Sequence, residues 1–202
     1  MVPLRTTTSP VDPDTTPVIH LAEGRTLLLD PASQASDTLL QVHDGIARVF
    51  CACPETDGMS LAFLQKGDTL QFDRLCSDGV CLEALTDLSF RRLERSEAGL
   101  SDPVNEWTLQ LLRIRHLVSA EQRLQALLSL LVHRIGRRTR AGCQLPFRLT
   151  HERLGELIGA TRVTTSRIAS KLRERGVFQQ GSGSREGLTL CPDWIAACPL
   201  TF

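Results

Sequence analysis

"LTHERLGELIGATRVTTSRIASKLRERGVF", residues Leu149–Phe178, is the stretch from which the fold can be read. Thr150 stands where a helix N-cap is wanted, because its hydroxyl can accept from the free N–H groups of the first turn. Leu154 and Ile158, four apart, give the short helix "HERLGELIG" one apolar face. Gly159 permits the positive φ of a tight turn, and Thr161 is placed to cap a second helix with Ile168 and Leu172 four apart. Gly155 is small where the second helix must approach the first. With Ala160 between them, these apolar positions lock two helices across a sharp turn, which predicts a helix-turn-helix.

The second helix begins with Arg162, Val163, Thr164, Thr165, Ser166 and Arg167, and its first turn has no carboxylate. An ordinary surface helix places Asp or Glu there, against the dipole and the unpaired N–H groups. An anion supplied from outside would fill that role, and the DNA backbone is the natural donor. Beyond Gly176, "VFQQGSGSREGLTL" predicts two short strands around a Gly/Ser-rich turn, a wing carrying Arg185 toward phosphate. Lys171 lies farther along the same helix and is expected to face DNA as well.

Upstream, "SAEQ" at 119–122 matches a capping box and opens a helix buried along Leu124, Leu127, Leu128, Leu131 and Ile135. An arginine-rich link, Arg137, Arg138 and Arg140, follows it. Before it, Asp102 is a plausible N-cap with Pro103 at the first helical position. In "VNEWTLQLLRIRHLV" the residues Trp107, Leu111, Ile114 and Val118 recur at heptad spacing, with Leu109, Leu112 and Leu117 alongside. That seam predicts a dimerisation helix over 102–118 that also packs on its own domain.

From Val18 to about Leu93 the pattern changes to "RTLLLD", "TLLQV", "IARVFCAC", "SLAFL" and "CLEAL". These short runs are separated by "HDG", "ETDG", "KGD" and "SDG" and predict an all-β roll. Residues 1–17, rich in Pro and Thr, read as a disordered arm. The expected layout is therefore a β-roll over 18–101, the helix over 102–118 and a winged helix-turn-helix over 119–202, an α+β architecture.

Charge divides along the same line. The net charge of zero conceals 10 basic against 17 acidic residues in 1–118, and 13 against 6 in 119–202. A positive C-terminal half suits a nucleic-acid partner. No apolar run reaches the length of a membrane span, and the N-terminus lacks a signal-like start, so a cytoplasmic protein with no membrane partner is expected. His20, His43, His116, His133 and His151 are scattered, and no nucleophile–base pair appears. No enzyme, catalytic residue, cofactor or metal is therefore expected.

The seven cysteines fit no disulfide framework in a leaderless chain. Cys51, Cys53, Cys76 and Cys81 have spacings that match no standard zinc or cluster pattern, and small core residues are the expected role. They would form a redox or metal site only if the loops brought them together.

Two stretches carry a family resemblance. "LLQVHDGIARVF" with "FLQKGD", and the whole of 149–178, resemble the CRP/FNR family of bacterial transcription regulators. Gly45 and Arg48 stand in that family's usual places. The resemblance implies a cupin-like jelly roll of the cyclic-nucleotide-binding type, a homodimer, double-stranded DNA and RNA polymerase as partners, and a small-molecule effector of unknown identity.

"TRVTTSR" is similar to the recognition helix of the cyanobacterial global nitrogen regulators. Carried over, Arg162 and Arg167 match guanine-reading arginines, and Val163 takes the place of an acidic reader, which implies GTA…TAC half-sites. Thr165 replaces an apolar core residue, so its hydroxyl needs a backbone carbonyl one turn back. The segment Gly67–Asp87 lacks the family's Gly-Glu-Leu and Arg-Ser elements, and its Asp73, Asp78 and Glu83 would repel a phosphate. A cyclic nucleotide is not expected; a dicarboxylate effector held by Arg113 or Arg115 is a lesser expectation. The competing reading is a redox- or metal-sensing or protein-interaction module that keeps a vestigial winged helix.

Overall fold

The computed structural model describes residues 17–29, 38–53, 55, 58–72, 75–76, 79–94, 102–180 and 187–202. All but Pro17 of the expected N-terminal arm, and Arg185 in the wing turn, lie outside these. The described residues open with eight strands: β1 (Val18–Leu21), β2 (Thr26–Leu29), β3 (Thr38–Asp44), β4 (Ala47–Cys51), β5 (Ser60–Leu64), β6 (Thr69–Leu70), β7 (Val80–Ala84) and β8 (Leu88–Glu94). They form two antiparallel sheets, ordered β1-β8-β3-β6 and β2-β7-β4-β5. In β7 buried and half-buried residues alternate, the signature of a strand with one face on the core. Leu29, Val42, Val49, Leu70, Phe72 and Leu82 fill the space between the sheets.

The chain crosses between sheets at Gly45, whose φ is +90°, and a Cβ there would overlap the Asp87 carbonyl oxygen. Only glycine fits that corner.

Helix α1 (Pro103–Arg115) starts as its sequence demands. Asp102 accepts from the Asn105 amide at 3.1 Å, and Pro103 leads the first turn. Its heptad stripe, however, corrects the expected dimer seam. Trp107, Leu111 and Ile114 are only 3%, 7% and 0% exposed, buried inside the protomer. The Trp107 ring lies 5.2 Å from that of Phe63 on β5, and Phe63 stacks at 6.1 Å on Phe147. The cause is that α1 is wedged between the roll and the C-terminal helices, and its most apolar stripe is used there. The helix also stops at Arg115, so Val118, 95% exposed, lies in the turn beyond it. The outward face carries Leu109 and Leu112, each 53% exposed, with Asn105 and His116 at matching heptad spacing.

Helix α2 (Ala120–Arg134) has the reciprocal Ser119/Gln122 capping box, and Leu124, Leu127, Leu128 and Leu131 are buried. The arginine-rich segment is not a plain link. It forms β9 (Arg137–Thr139), paired with β10 (Gly142–Leu145). Helices α3 (His151–Ile158) and α4 (Arg162–Glu174) follow, then the wing strands β11 (Phe178–Gln180) and β12 (Leu188–Leu190), then α5 (Pro192–Ala196). The four short strands form one antiparallel sheet, β11-β12-β10-β9. Among the described residues, no helix is long and apolar enough to cross a membrane.

Candidate nucleic-acid interface

The interface rests on the turn between α3 and α4. The Thr150 hydroxyl accepts from the Arg153 amide at 3.1 Å, and the Thr161 hydroxyl from the Thr164 amide at 3.1 Å. Gly159 closes α3 in the left-handed region, φ +64° and ψ +47°. The Ala160 amide returns to the Gly155 carbonyl at 2.8 Å. A Cβ on Gly155 would stand 2.6 Å from the Ala160 carbonyl oxygen and 3.1 Å from the Thr165 hydroxyl, so the two helices meet where no side chain fits. Thr165 is fully buried, and its hydroxyl donates to the Thr161 carbonyl at 3.0 Å. This is the carbonyl one turn back that its burial required.

With Thr165, Ala169 and Leu172 buried, α4 turns its opposite side outward. Arg162, Val163, Thr164 and Arg167 are exposed and Ser166 is half-buried, with no acidic residue in the first turn. Val163 is 59% exposed, an apolar side chain left without cover. Cations, a hydroxyl and a methyl-bearing side chain on a positive helix end form a surface suited to phosphates and base edges. Arg137 and Arg138 on β9 are exposed as well. The other end of α4 is tied down instead. Lys171 and Arg175 both reach Glu121 of α2, at 3.5 and 3.0 Å. Such exposed pairs are weak, about 0–1 kcal/mol.

Arg113 and Arg115 do not converge on a ligand site. Arg113 donates to Gln110 at 2.7 Å on the exposed side of α1. Arg115 donates to the carbonyls of Glu156 and Leu157, capping the C-terminal turn of α3.

Sequence reasoning missed a polar clasp beside that cap. The Glu156 carboxylate accepts from the Ser60 amide at 3.0 Å and from the Ser60 hydroxyl at 2.8 Å. Arg48, 1% exposed, donates to Ser60 at 2.8 Å and to Glu83 at 2.6 Å, and lies 4.0 Å over the Phe50 ring. Burial lowers the Arg48 pKa from its usual value, and the bond and charge of Glu83 pull it back. Arg153 approaches the same ring at 5.9 Å and reaches the Gly58 carbonyl at 3.5 Å. One network therefore joins the roll to the first helix of the DNA-reading pair. Its only sequence cue was Arg48, a lone cation inside an apolar strand.

The cysteines also depart from expectation. Cys51 is buried but forms a disulfide with Cys53; Cys53 and Cys76 are half-exposed, and the three sulfurs lie together. Cys81 is left out because its register opposite Phe50 puts it on the other face from Cys51.

The profile of the cyanobacterial CRP family N-terminal domain matches residues 19–104, and that of the Crp-like helix-turn-helix domain matches residues 122–191. The chain is 29% identical over 187 residues to the regulatory protein CysR of Synechococcus elongatus, covering 86% of each. Among solved structures, a CRP-family transcriptional regulator of Thermus thermophilus superposes with a TM-score of 0.65 at 19% identity, over 89% of this chain and 94% of that one. FixK2 of Bradyrhizobium japonicum gives 0.66 at 19% identity, over 93% and 98%.

Proposed function

We propose that the chain is a CRP/FNR-type transcription regulator, as its likeness to two CRP-type domain families and to CysR supports, and that it acts as a homodimer on a palindromic DNA site. The observation that carries the reading is the exposed, acid-free start of α4, with Arg162, Val163, Thr164 and Arg167 presented together. Two such helices related by a dyad fit successive major grooves, about 34 Å apart. Arg162 and Arg167 are the guanine readers, one of them holding the single guanine of the half-site through O6 and N7, and Val163 meets the neighbouring thymine methyl. This gives GTA half-sites repeated as TAC. Thr150, Thr161, Ser166, Lys171 and the wing residue Arg185 hold phosphate and set the register.

The dimer forms through the outward face of α1 around Leu109 and Leu112, not through the buried Trp107 stripe. Met59, 37% exposed, lines the same shallow groove as Leu112 and widens that apolar patch. The effector is not a cyclic nucleotide. Glu83 is held by Arg48, and Arg48 is divided between Glu83 and Ser60, so neither is free to grip a ribose phosphate. A DNA-bound regulator works in the cytoplasm and meets RNA polymerase there.

Selection from random duplexes, followed by binding at two salt concentrations, tests this reading. Arg162→Ala and Arg167→Ala should each cost about 1–3 kcal/mol and relax preference at one base pair. Arg185→Ala should weaken all sequences alike and flatten the salt dependence. A selection that returns no guanine three positions from the inner end of each half-site overturns the assignment of the reading residues. Absence of any salt-dependent DNA binding favours the module with a vestigial winged helix.

A further inference from the structure

Three sulfur atoms meet at one end of the β-roll, where DNA recognition has no use for them. Cys51 is the last residue of β4, 4% exposed, and Cys53 follows two residues later, so both side chains leave on the same side of the chain. Cys76 arrives from the separate loop between β6 and β7. One backbone bond holds the two loops together, from the Ala52 amide to the Gly79 carbonyl at 3.2 Å, and within the second loop the Gly79 amide donates to the Cys76 carbonyl at 3.3 Å. The three Sγ atoms all lie within 4.8 Å of one another. Cys53 Sγ stands 2.6 Å from Cys76 Sγ, and Cys51 and Cys53 are joined as a disulfide. A simple core role would scatter such side chains among apolar neighbours.

We propose that Cys51, Cys53 and Cys76 form a three-thiolate site for a soft d10 cation, Zn(II) or Cu(I). Thiolate is the donor that selects these ions, and three of them complete a trigonal set or three corners of a tetrahedron. Metal–sulfur bonds of about 2.3 Å place tetrahedral sulfurs about 3.8 Å apart. The cluster reaches that spacing when Cys53 and Cys76, both in loops, swing outward by about 1 Å. A thiol reductant first opens the Cys51–Cys53 disulfide, two electrons and two protons giving two thiols; binding then converts each of the three thiols to a thiolate and releases its proton, up to three per ion, with the metal's oxidation state unchanged. The half-exposure of Cys53 and Cys76 leaves an entry path, and water or another ligand would complete a tetrahedral set. The loop that carries Cys53 runs on to Gly58 and Ser60, which grip α3, so the ion would sit at the root of the interdomain clasp.

The test uses the full chain, reduced and kept anaerobic, titrated with Co(II) as a spectroscopic probe, then with Zn(II) and separately with Cu(I). One ion per protomer is expected. Co(II) should give a thiolate-to-metal charge-transfer band that Zn(II) removes, with protons released to a pH indicator. Cys53→Ser and Cys76→Ser should each weaken uptake by more than about tenfold, whereas Cys81→Ser should not change it. Thermal melting of each apo variant checks that it is folded. If either loop variant is unfolded, alkylation of the wild type supplies the readout, with bound metal protecting Cys51, Cys53 and Cys76 and leaving Cys81 reactive. Failure of the reduced wild type to bind any of the three ions, or equal loss on changing Cys81, overturns the proposal. Recovery of a stable disulfide within the trio that excludes metal after reduction and reoxidation does so as well. None of these outcomes bears on which DNA sequence α4 reads.

Discussion

Thr165 and Gly155 show how closely the geometry of the reading helix depends on single atoms. The Thr165 hydroxyl donates to a carbonyl that already accepts the Thr165 amide, so Thr165→Val removes one bond and leaves no buried donor stranded. Thr165→Val should change stability by less than about 1 kcal/mol and leave DNA affinity intact. Gly155→Ala is the opposite case, because the new methyl meets backbone at 2.6 Å and backbone cannot rotate away. It should cost about 1–3 kcal/mol of stability and depress DNA binding by tilting α4. Paired thermal melts and anisotropy titrations check both. A silent Gly155→Ala would mean that the two helices are not held at this separation. Val163 belongs to the same scale. As an exposed apolar residue it has no folding role, and Val163→Glu should leave the melting temperature in place while shifting the middle base preference toward a pair with a cytosine amino group.

At the scale of the element, α1 is the informative case. Its two apolar stripes differ in strength, Trp107–Leu111–Ile114 being bulkier and more continuous than Leu109–Leu112. The stronger stripe packs against the roll and the C-terminal helices, because contacts within one chain form without the translational cost of association. The weaker one, around Leu109 and Leu112, stays exposed. Leu109→Asp with Leu112→Asp should give a folded monomer, with the melting curve moved only by loss of the dimer. Ile114→Asp should unfold the chain, since a carboxylate would be buried with no partner. Sedimentation of the two variants against wild type discriminates the faces. A wild type that is monomeric at micromolar concentration, or an unchanged double variant, removes the dimer from the account.

At the scale of the whole molecule, two kinds of contact join the β-roll to the helix-turn-helix. One is apolar, the Phe63–Trp107–Phe147 group. The other is the charged clasp from Glu83 through Arg48 and Ser60 to Glu156. The polar clasp is the more readily switched, because its bonds depend on one carboxylate meeting one loop. Glu156→Ala should cost about 1–2 kcal/mol. It should also speed hydrogen exchange at the Ser60 amide and along α3, while the strands of the far sheet keep their protection. Unchanged exchange at Ser60 would mean that the apolar group alone holds the two parts together.

How much could be read in advance follows from the range of the interactions. The caps at Asp102, Ser119, Thr150 and Thr161, the left-handed turn at Gly159, the tight approach at Gly155 and the exposed face of α4 all depend on residues within about one or two helical turns. Most of the roll's longer strands were legible for the same reason, between their Asp-Gly turns. The two-residue β6, edge strand β1 and β8 with its shifting alternation were not, because pairing with neighbours defines them more than their own pattern does. Only the tertiary structure decided which stripe of α1 would be buried, since both stripes have helical period and their choice depends on what they meet. It likewise decided that Arg137 and Arg138 would lie on a strand, and that Glu156 would find Ser60, 96 residues away. It also decided that Cys76 would join Cys51 and Cys53 while Cys81 would not, because strand register puts Cys81 on the opposite face. Local rules settle how a segment is shaped; the closing of long loops, with its entropy offset by burial elsewhere, settles which distant side chains meet.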